Sequence, residues 1–141
     1  MSDAFVDTDV LIRLLTGDDP LKQADSAALF EAVEAGELTV AAPDTVIADA
    51  VYVLSSPRLY RVPRPQVEEL LAPLIRLPGF RLRNRDSLLR ALDLYSTTNL
   101  DFGDAMIVAS MEAAGVDALY SYDEGFDRLA SVKRRAPGDR R

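Results

Sequence analysis

The stretch FVDTDVLIRLL, residues 5–15, places two carboxylates between an apolar segment and an amphipathic helix. The apolar residues before Asp7 are typical of a short buried strand at residues 4–6. Apolar residues then recur at the spacing of one helical face: Val10, Leu11, Leu14 and Leu15. Carboxylates at such a junction either cap the following helix or bind a cation. The rest of the chain is needed to decide between these roles for Asp7 and Asp9.

The same alternation of strand and helix continues along the chain. Helices are predicted at residues 20–35, 43–54, 66–77, 87–98 and 101–114, strands at 38–41, 80–82 and 118–121, and a short last helix at 126–132. This order predicts the α/β fold class, as a three-layer α/β/α domain around a mostly parallel central sheet. We expect one domain over residues 1–132 and a flexible basic tail over residues 133–141.

Composition restricts the chemistry that this domain can use. The 141 residues include no cysteine and no histidine, which excludes Ser-His-Asp and Cys-His catalysis and the usual zinc sites. The net charge of -7 argues against a protein that coats nucleic acid electrostatically, but it permits a nuclease whose acids are offset by metal ions. The sequence predicts no secretion signal and no membrane span, so we expect a cytoplasmic protein without a membrane partner.

Several aspartates have both a structural and a functional explanation. Asp49 has apolar neighbours on almost every side, which predicts a buried carboxylate with a remote partner, although a polar helix edge is the alternative. Asp101 and Asp104 stand three residues apart at a helix start, where both face the same way or form a capping arrangement. Asp123 follows the last predicted strand, where a turn aspartate is the alternative.

Taken together, Asp7, Asp49, Asp104 and Asp123 come from four separate elements, and we expect them at one edge of the sheet. Ligands of open parallel sheets bind beyond the carboxyl ends of the strands. Two unit charges about 4 Å apart repel by roughly 4 kcal/mol at an effective dielectric constant near 20. A cluster of acids therefore favours a bound cation, and oxygen ligands suit Mg²⁺ or Mn²⁺. This favours metal binding by Asp7, with Asp9 in support.

Four acidic blocks resemble, in order, those of PIN-domain ribonucleases, and the most similar subgroup is the VapC-type toxins of type II toxin–antitoxin systems. The blocks are FVDTDVLIRLLTGDDP, VIADAVYVL, LDFGDAMIVAS and LYSYDEGFDRL. The resemblance implies a compact α/β/α fold and endonucleolytic cleavage of RNA that depends on Mg²⁺ or Mn²⁺. It also implies a homodimer and silencing by a cognate antitoxin protein.

The resemblance also implies roles for individual residues. Asp7 and Asp104 are the expected direct metal ligands. Asp123 matches the fourth acid of the family, and Asp49 stands where the family usually has glutamate, so these two are expected to bind through water or to bind a second ion. Three further residues are expected to support the ligands: Asp9, at a position that is more often asparagine, Ser121 and Asp101.

An arginine-rich connection, SSPRLYRVPRP, is the predicted RNA contact. Arg58, Arg61 and Arg64 are grouped beside Tyr60. Arginine forks bind phosphate, and an aromatic ring can stack on an unpaired base. The alternative is a loop that contacts a dimer mate or the antitoxin.

Two other functions compete with the nuclease. The DTD sequence is similar to the nucleophile motif of haloacid-dehalogenase-like phosphatases, but Val10 follows Asp9 where that family has a small residue. Those enzymes and receiver domains also need a lysine after a later strand, and the only lysines, Lys22 and Lys133, are not so placed. The non-enzymatic alternative is a catalytically silent PIN-like module that binds metal or antitoxin.

Overall fold

The computed structural model describes residues 3–140 and contains two parallel sheets. Strands β1 (Ala4–Phe5), β2 (Val40–Ala41) and β3 (Phe80–Arg81) pair in the order β1-β2-β3. Strands β4 (Ala118–Tyr120) and β5 (Lys133–Arg135) form the second sheet. The predicted parallel pairing is confirmed, but the predicted single sheet is divided into two.

Six α-helices connect and flank these strands in the part of the chain that the structure describes. They are α1 (Thr8–Leu15), α2 (Pro20–Glu34), α3 (Asp44–Ser55), α4 (Arg64–Ile75), α5 (Arg85–Thr97) and α6 (Phe102–Ala114). Two 3-10 helices follow, at Glu124–Arg128 and Pro137–Arg140. None of these helices combines the length and the apolarity needed to cross a membrane.

Helix ends follow the capping signals of the sequence in most places. The Asp19 carboxylate accepts a hydrogen bond from the backbone N–H of Lys22, and Pro20 begins α2 as predicted. Gly115 ends α6 with φ of 69°, a conformation that glycine adopts without steric cost. The helix predicted at residues 87–98 begins two residues earlier, at Arg85, so Asp86 lies in the first turn of α5.

The core is formed by apolar side chains alone, among the residues that the structure describes. Leu11, Ile47 and Leu88 are fully buried, and the ring of Phe30 packs edge-to-face against that of Phe80 at a centroid distance of 5.5 Å. Any polar chemistry must therefore take place in surface cavities.

Two further predictions are wrong at the ends of the chain. The strand at residues 4–6 was expected to be buried, but Ala4 and Phe5 are exposed, Phe5 by 71%, and only Val6 is buried. The tail predicted at residues 133–141 contributes β5, in which the Arg134 guanidinium lies 2.9 Å from the Asp127 carboxylate. The charged sequence of this segment concealed a strand that pairs with β4 instead of leaving the domain.

Candidate functional site

Asp7, Asp9 and Asp49 line one surface cavity of about 530 Å³, which we call the Asp7 cavity. Asp7 follows β1 and caps α1, because its Oδ1 accepts a hydrogen bond from the backbone N–H of Thr8 at 2.6 Å. The capping role that the sequence left open is therefore real. It occupies one carboxylate oxygen of Asp7.

Asp49 lines the Asp7 cavity from an exposed position on α3. The prediction that its carboxylate is buried is therefore wrong. The buried residues of this helix are Val46, Ile47, Ala50, Val51 and Leu54. At about 100° per residue, Asp49 lies roughly 130° around the helix from the centre of that apolar face. The alternative of a polar helix edge is correct.

Asp104 and Asp123 line a second cavity of about 230 Å³, which we call the Asp104 cavity. Asp101 caps α6, and its Oδ1 accepts a hydrogen bond from the backbone N–H of Asp104 at 2.8 Å. Asp123 caps the first 3-10 helix by accepting from the Gly125 N–H at 2.8 Å, and its own N–H donates to the Ser121 hydroxyl at 3.0 Å. These contacts fix the backbone that carries both acids.

Burial and neighbouring negative charges both act on the carboxylate of Asp104. Partial burial is the largest cause that raises the pKa of Asp104, and the negative charges of Asp101 and Asp123 raise it further. The ionised form of Asp104 is thus disfavoured in the fold. A cation in this cavity would remove that cost.

The structure does not bring all four predicted ligands together. Within residues 3–140, no three acidic side chains are grouped so that they could hold a metal ion. Asp7 follows a strand of one sheet, whereas Asp123 follows a strand of the other, and the two residues line different cavities. The carboxylates have the right chemistry for a hard cation, but they lack the arrangement of a complete site. A single site that uses all four acids therefore stays a prediction.

Arg64, one of the predicted RNA contacts, is instead engaged inside the protein. Its Nη1 donates to the carbonyl oxygens of Tyr95 at 3.0 Å, of Thr98 at 3.3 Å and of Leu100. Its guanidinium also lies over the Tyr95 ring, 4.3 Å from the centroid. Arg64 therefore ties α4 to the connection between α5 and α6, and it is not presented to a substrate.

The other residues of the predicted RNA contact are more accessible. Arg58 is exposed, and Arg61, also exposed, donates from Nε to the Pro57 carbonyl at 2.6 Å. Tyr60 is half-buried and lines the Asp7 cavity. Its hydroxyl donates to the Asp18 carboxylate at 2.6 Å.

Asp18 is a functional candidate that the sequence did not indicate. Its carboxylate accepts from Tyr60 and from Arg13, at 2.6 and 3.1 Å, and both partners line the Asp7 cavity. The Tyr60 hydrogen bond is the largest cause that lowers the pKa of Asp18. In the sequence Asp18 stands beside the α2 cap, and nothing there links it to a tyrosine 42 residues away.

A third cavity, of about 710 Å³, lies at the carboxyl ends of β1, β2 and β3 and was also missed. Its lining includes Phe5, Arg81, Arg83, Asn84 and Arg85. The alternation of arginine and leucine in FRLRNR was the available signal, since it is typical of a strand with one charged face.

Comparison with known proteins agrees with this architecture. A sequence model of the PIN domain matches residues 4–132, which run from β1 past the first 3-10 helix. A search of curated protein sequences returns no match. The PIN match confirms the predicted three-layer α/β/α fold class, and PIN domains are generally metal-dependent nucleases. Because the match covers nearly all of the chain, the protein belongs to the PIN-domain family.

Proposed function

We propose that this protein is an endoribonuclease that requires Mg²⁺ or Mn²⁺ and acts as the toxin of a toxin–antitoxin pair. Membership of the PIN family supports the nuclease activity. The four acidic blocks support the toxin role, because they resemble those of VapC-type proteins. RNA is the proposed substrate.

The observation that carries the proposal is the PIN-domain match over residues 4–132, and the acids around Asp104 agree with it. Burial and the charges of Asp101 and Asp123 raise the pKa of Asp104, so the ionised carboxylate is disfavoured in the fold. The cap of α6 is Asp101, so the Asp104 carboxylate is not needed to cap the helix. In a chain without histidine or cysteine, carboxylates are the expected ligands for a cation.

Asp7 and Asp104 are the proposed direct ligands, and Asp49 and Asp123 are proposed to act through water or on a second ion. The first two line separate cavities. The proposal therefore requires that one ion be reached from both cavities. Asp9, Ser121 and Asp101 are proposed to support the ligands.

Single-turnover cleavage of defined single-stranded and stem–loop RNAs tests the activity. The purified protein is assayed in parallel with Mg²⁺, with Mn²⁺ and with EDTA. Asp7→Asn is the test variant, and Asp86→Asn, the same change in the first turn of α5, is the matched control. Cleavage that needs a divalent ion and is lost only in Asp7→Asn supports the proposal. Equal cleavage by both variants identifies a contaminating nuclease and contradicts it.

The toxin role has a separate test in cells. Induced expression in a bacterial host should arrest growth, and Asp7→Asn should relieve the arrest while Asp86→Asn should not. Co-expression of a cognate antitoxin is also expected to relieve it. Growth arrest by the Asp7→Asn protein would contradict a toxicity based on RNA cleavage. We further propose that the protein acts in the cytoplasm as a homodimer.

A further inference from the structure

The third cavity has a position and a composition that the acidic sites do not explain. It lies beyond the carboxyl ends of three parallel strands, where α/β folds commonly bind ligands. We call it the arginine groove, defined by Phe5, Ala41, Arg81 and Arg83 with the residues beside them. None of the aspartates assigned to metal binding lines it.

Sheet register places an aromatic ring and an arginine on the same side of the groove. Phe5, Ala41 and Arg81 are paired across β1, β2 and β3 and form one rung of the sheet. Side chains of one rung point to the same face, and neighbouring strands are about 4.8 Å apart. Phe5 and Arg81 are thus separated by roughly 10 Å, with the small side chain of Ala41 between them.

Arg83 extends the charge of the groove away from the rung. Residues 81 and 83 are both exposed, whereas Leu82 between them is buried, which is the alternation of a strand with one solvent face. Neither Arg81 nor Arg83 forms an ion pair or a side-chain hydrogen bond with any residue in the described range 3–140. Their guanidinium groups are available to a ligand.

The remaining charged residues of the groove are already engaged. Arg85 donates to the carbonyl oxygens of Leu77 and Phe80, at 3.1 and 2.7 Å, and so supports the backbone before α5. The carboxylate of Asp44, the one acid in the lining, accepts a hydrogen bond from Asn84 at 2.7 Å. The groove is therefore locally positive on a chain whose net charge is -7.

Phe5 adds a feature that an inorganic anion site would not need. Its side chain lines the groove and is 71% exposed, at the edge of a sheet where aromatic residues usually pack inward. An exposed ring beside arginines is the combination that binds single-stranded nucleic acid, because a base stacks on the ring while guanidinium forks bind the phosphates.

We propose that the arginine groove binds a single-stranded segment of the RNA substrate, with Phe5 stacked on an unpaired base and Arg81 and Arg83 on neighbouring phosphates. The inference rests on the proposed function for its choice of RNA. The groove adjoins the Asp7 cavity, since the Cα atoms of Phe5 and Asp7 can be no more than about 7 Å apart. A duplex is a poor ligand, because its stacked bases offer no free face to Phe5.

Fluorescence anisotropy with labelled single-stranded RNA of roughly 12 nucleotides, in EDTA so that no cleavage occurs, measures binding alone. Arg81→Gln/Arg83→Gln should weaken binding at least about tenfold and reduce the slope of log affinity against log salt by roughly 1.4. Phe5→Leu, which keeps an apolar side chain, should weaken binding by about fivefold or more. Arg135→Gln/Arg140→Gln removes the same charge outside the groove and should change the affinity by less than about twofold.

Four results would overturn the inference: equal losses in the two arginine pairs, unchanged affinity in Arg81→Gln/Arg83→Gln, equally tight binding of a duplex, or no binding by the parent chain. Analytical sedimentation under the same conditions tests a fifth outcome, in which the groove is a dimer interface. If Phe5→Leu dissociates a dimer and leaves RNA affinity unchanged, the groove is an interface between copies of the chain. If the parent chain binds RNA through the groove but does not cleave it, this inference stands and the nuclease activity is refuted. If the parent chain cleaves RNA and binding does not depend on the groove residues, the nuclease activity stands and this inference is refuted.

Discussion

Replacing Arg64 by alanine should lower the free energy of unfolding by about 3–3.5 kcal/mol and leave RNA affinity unchanged. The sequence places Arg64 in an RNA-binding connection, but in the structure its guanidinium reaches three backbone carbonyls around the end of α5. The two interpretations predict opposite results for the same variant. Stability and RNA affinity must therefore be measured together.

The magnitude follows from the contacts of one nitrogen. Nη1 carries two hydrogens, so only two of the three carbonyls can receive a strong hydrogen bond at a time. Each bond from a charged donor contributes about 1.5 kcal/mol at the lower end of the usual range, which is appropriate because ordering an arginine costs up to about 2 kcal/mol. The cation–π contact with Tyr95, at 4.3 Å, contributes roughly 0.5 kcal/mol more.

Urea unfolding followed by circular dichroism measures the stability change, and a loss of about 3 kcal/mol corresponds to a fall in Tm of roughly 10 °C for a domain of this size. Arg58→Ala, an exposed arginine in the same connection, is the matched control and should change stability by less than about 0.5 kcal/mol. An Arg64→Ala protein as stable as the parent, with weakened RNA binding, would refute the structural role.

Three further predictions concern the acids and the packing. In buffer without divalent ions, Asp104→Asn should be more stable than the parent at neutral pH. The difference in the free energy of unfolding should shrink as the pH falls through the raised pKa of Asp104, because the folded parent then gains a proton on this carboxylate. Urea melts across this pH range measure the difference, and a variant less stable than the parent would contradict the repulsion between the acids. Mn²⁺ at about 100 times its dissociation constant should stabilise the parent by about 2.7 kcal/mol in thermal melts, and an equal effect on Asp104→Asn would exclude Asp104 as a ligand. Gly79→Ala should lower the free energy of unfolding by about 1–3 kcal/mol, because a Cβ there would lie 3.1 Å from Val33 atoms. Gly17→Ala is the control and should leave stability unchanged, because its Cβ meets no atom within 4 Å. Equal denaturant midpoints for the two variants would contradict this prediction.

Local signals in the sequence predicted local structure well. Asp19 followed by Pro20 located the start of α2, and Asp101 and Gly115 located the two ends of α6. Capping depends on residues within one turn, so the sequence holds all the information that it needs. The sequence did not predict β5, because Lys133–Arg135 has no apolar pattern and the pairing of this strand with β4 depends on contacts across the fold.

The place of each candidate ligand on its own element could be predicted, but the grouping of the ligands could not. The position of Asp7 after a strand and of Asp104 in the first turn of α6 could be read from the chain. The division of the acids between two cavities depends on contacts across the fold, which no local pattern reveals. The structural contacts of Arg64 were missed for a similar reason, because the carbonyls that it binds lie more than 30 residues away.

The central claim is that acids from both cavities serve one hydrolytic reaction, and a double-mutant cycle on single-turnover RNA cleavage in Mn²⁺ tests it most directly. Asp7→Asn and Asp104→Asn should each reduce the rate by at least about 100-fold, and the double variant should be little slower than either, because ligands of one site act as a unit. Rate losses that multiply in the double variant would show two independent sites. Full activity in either single variant would contradict the claim outright.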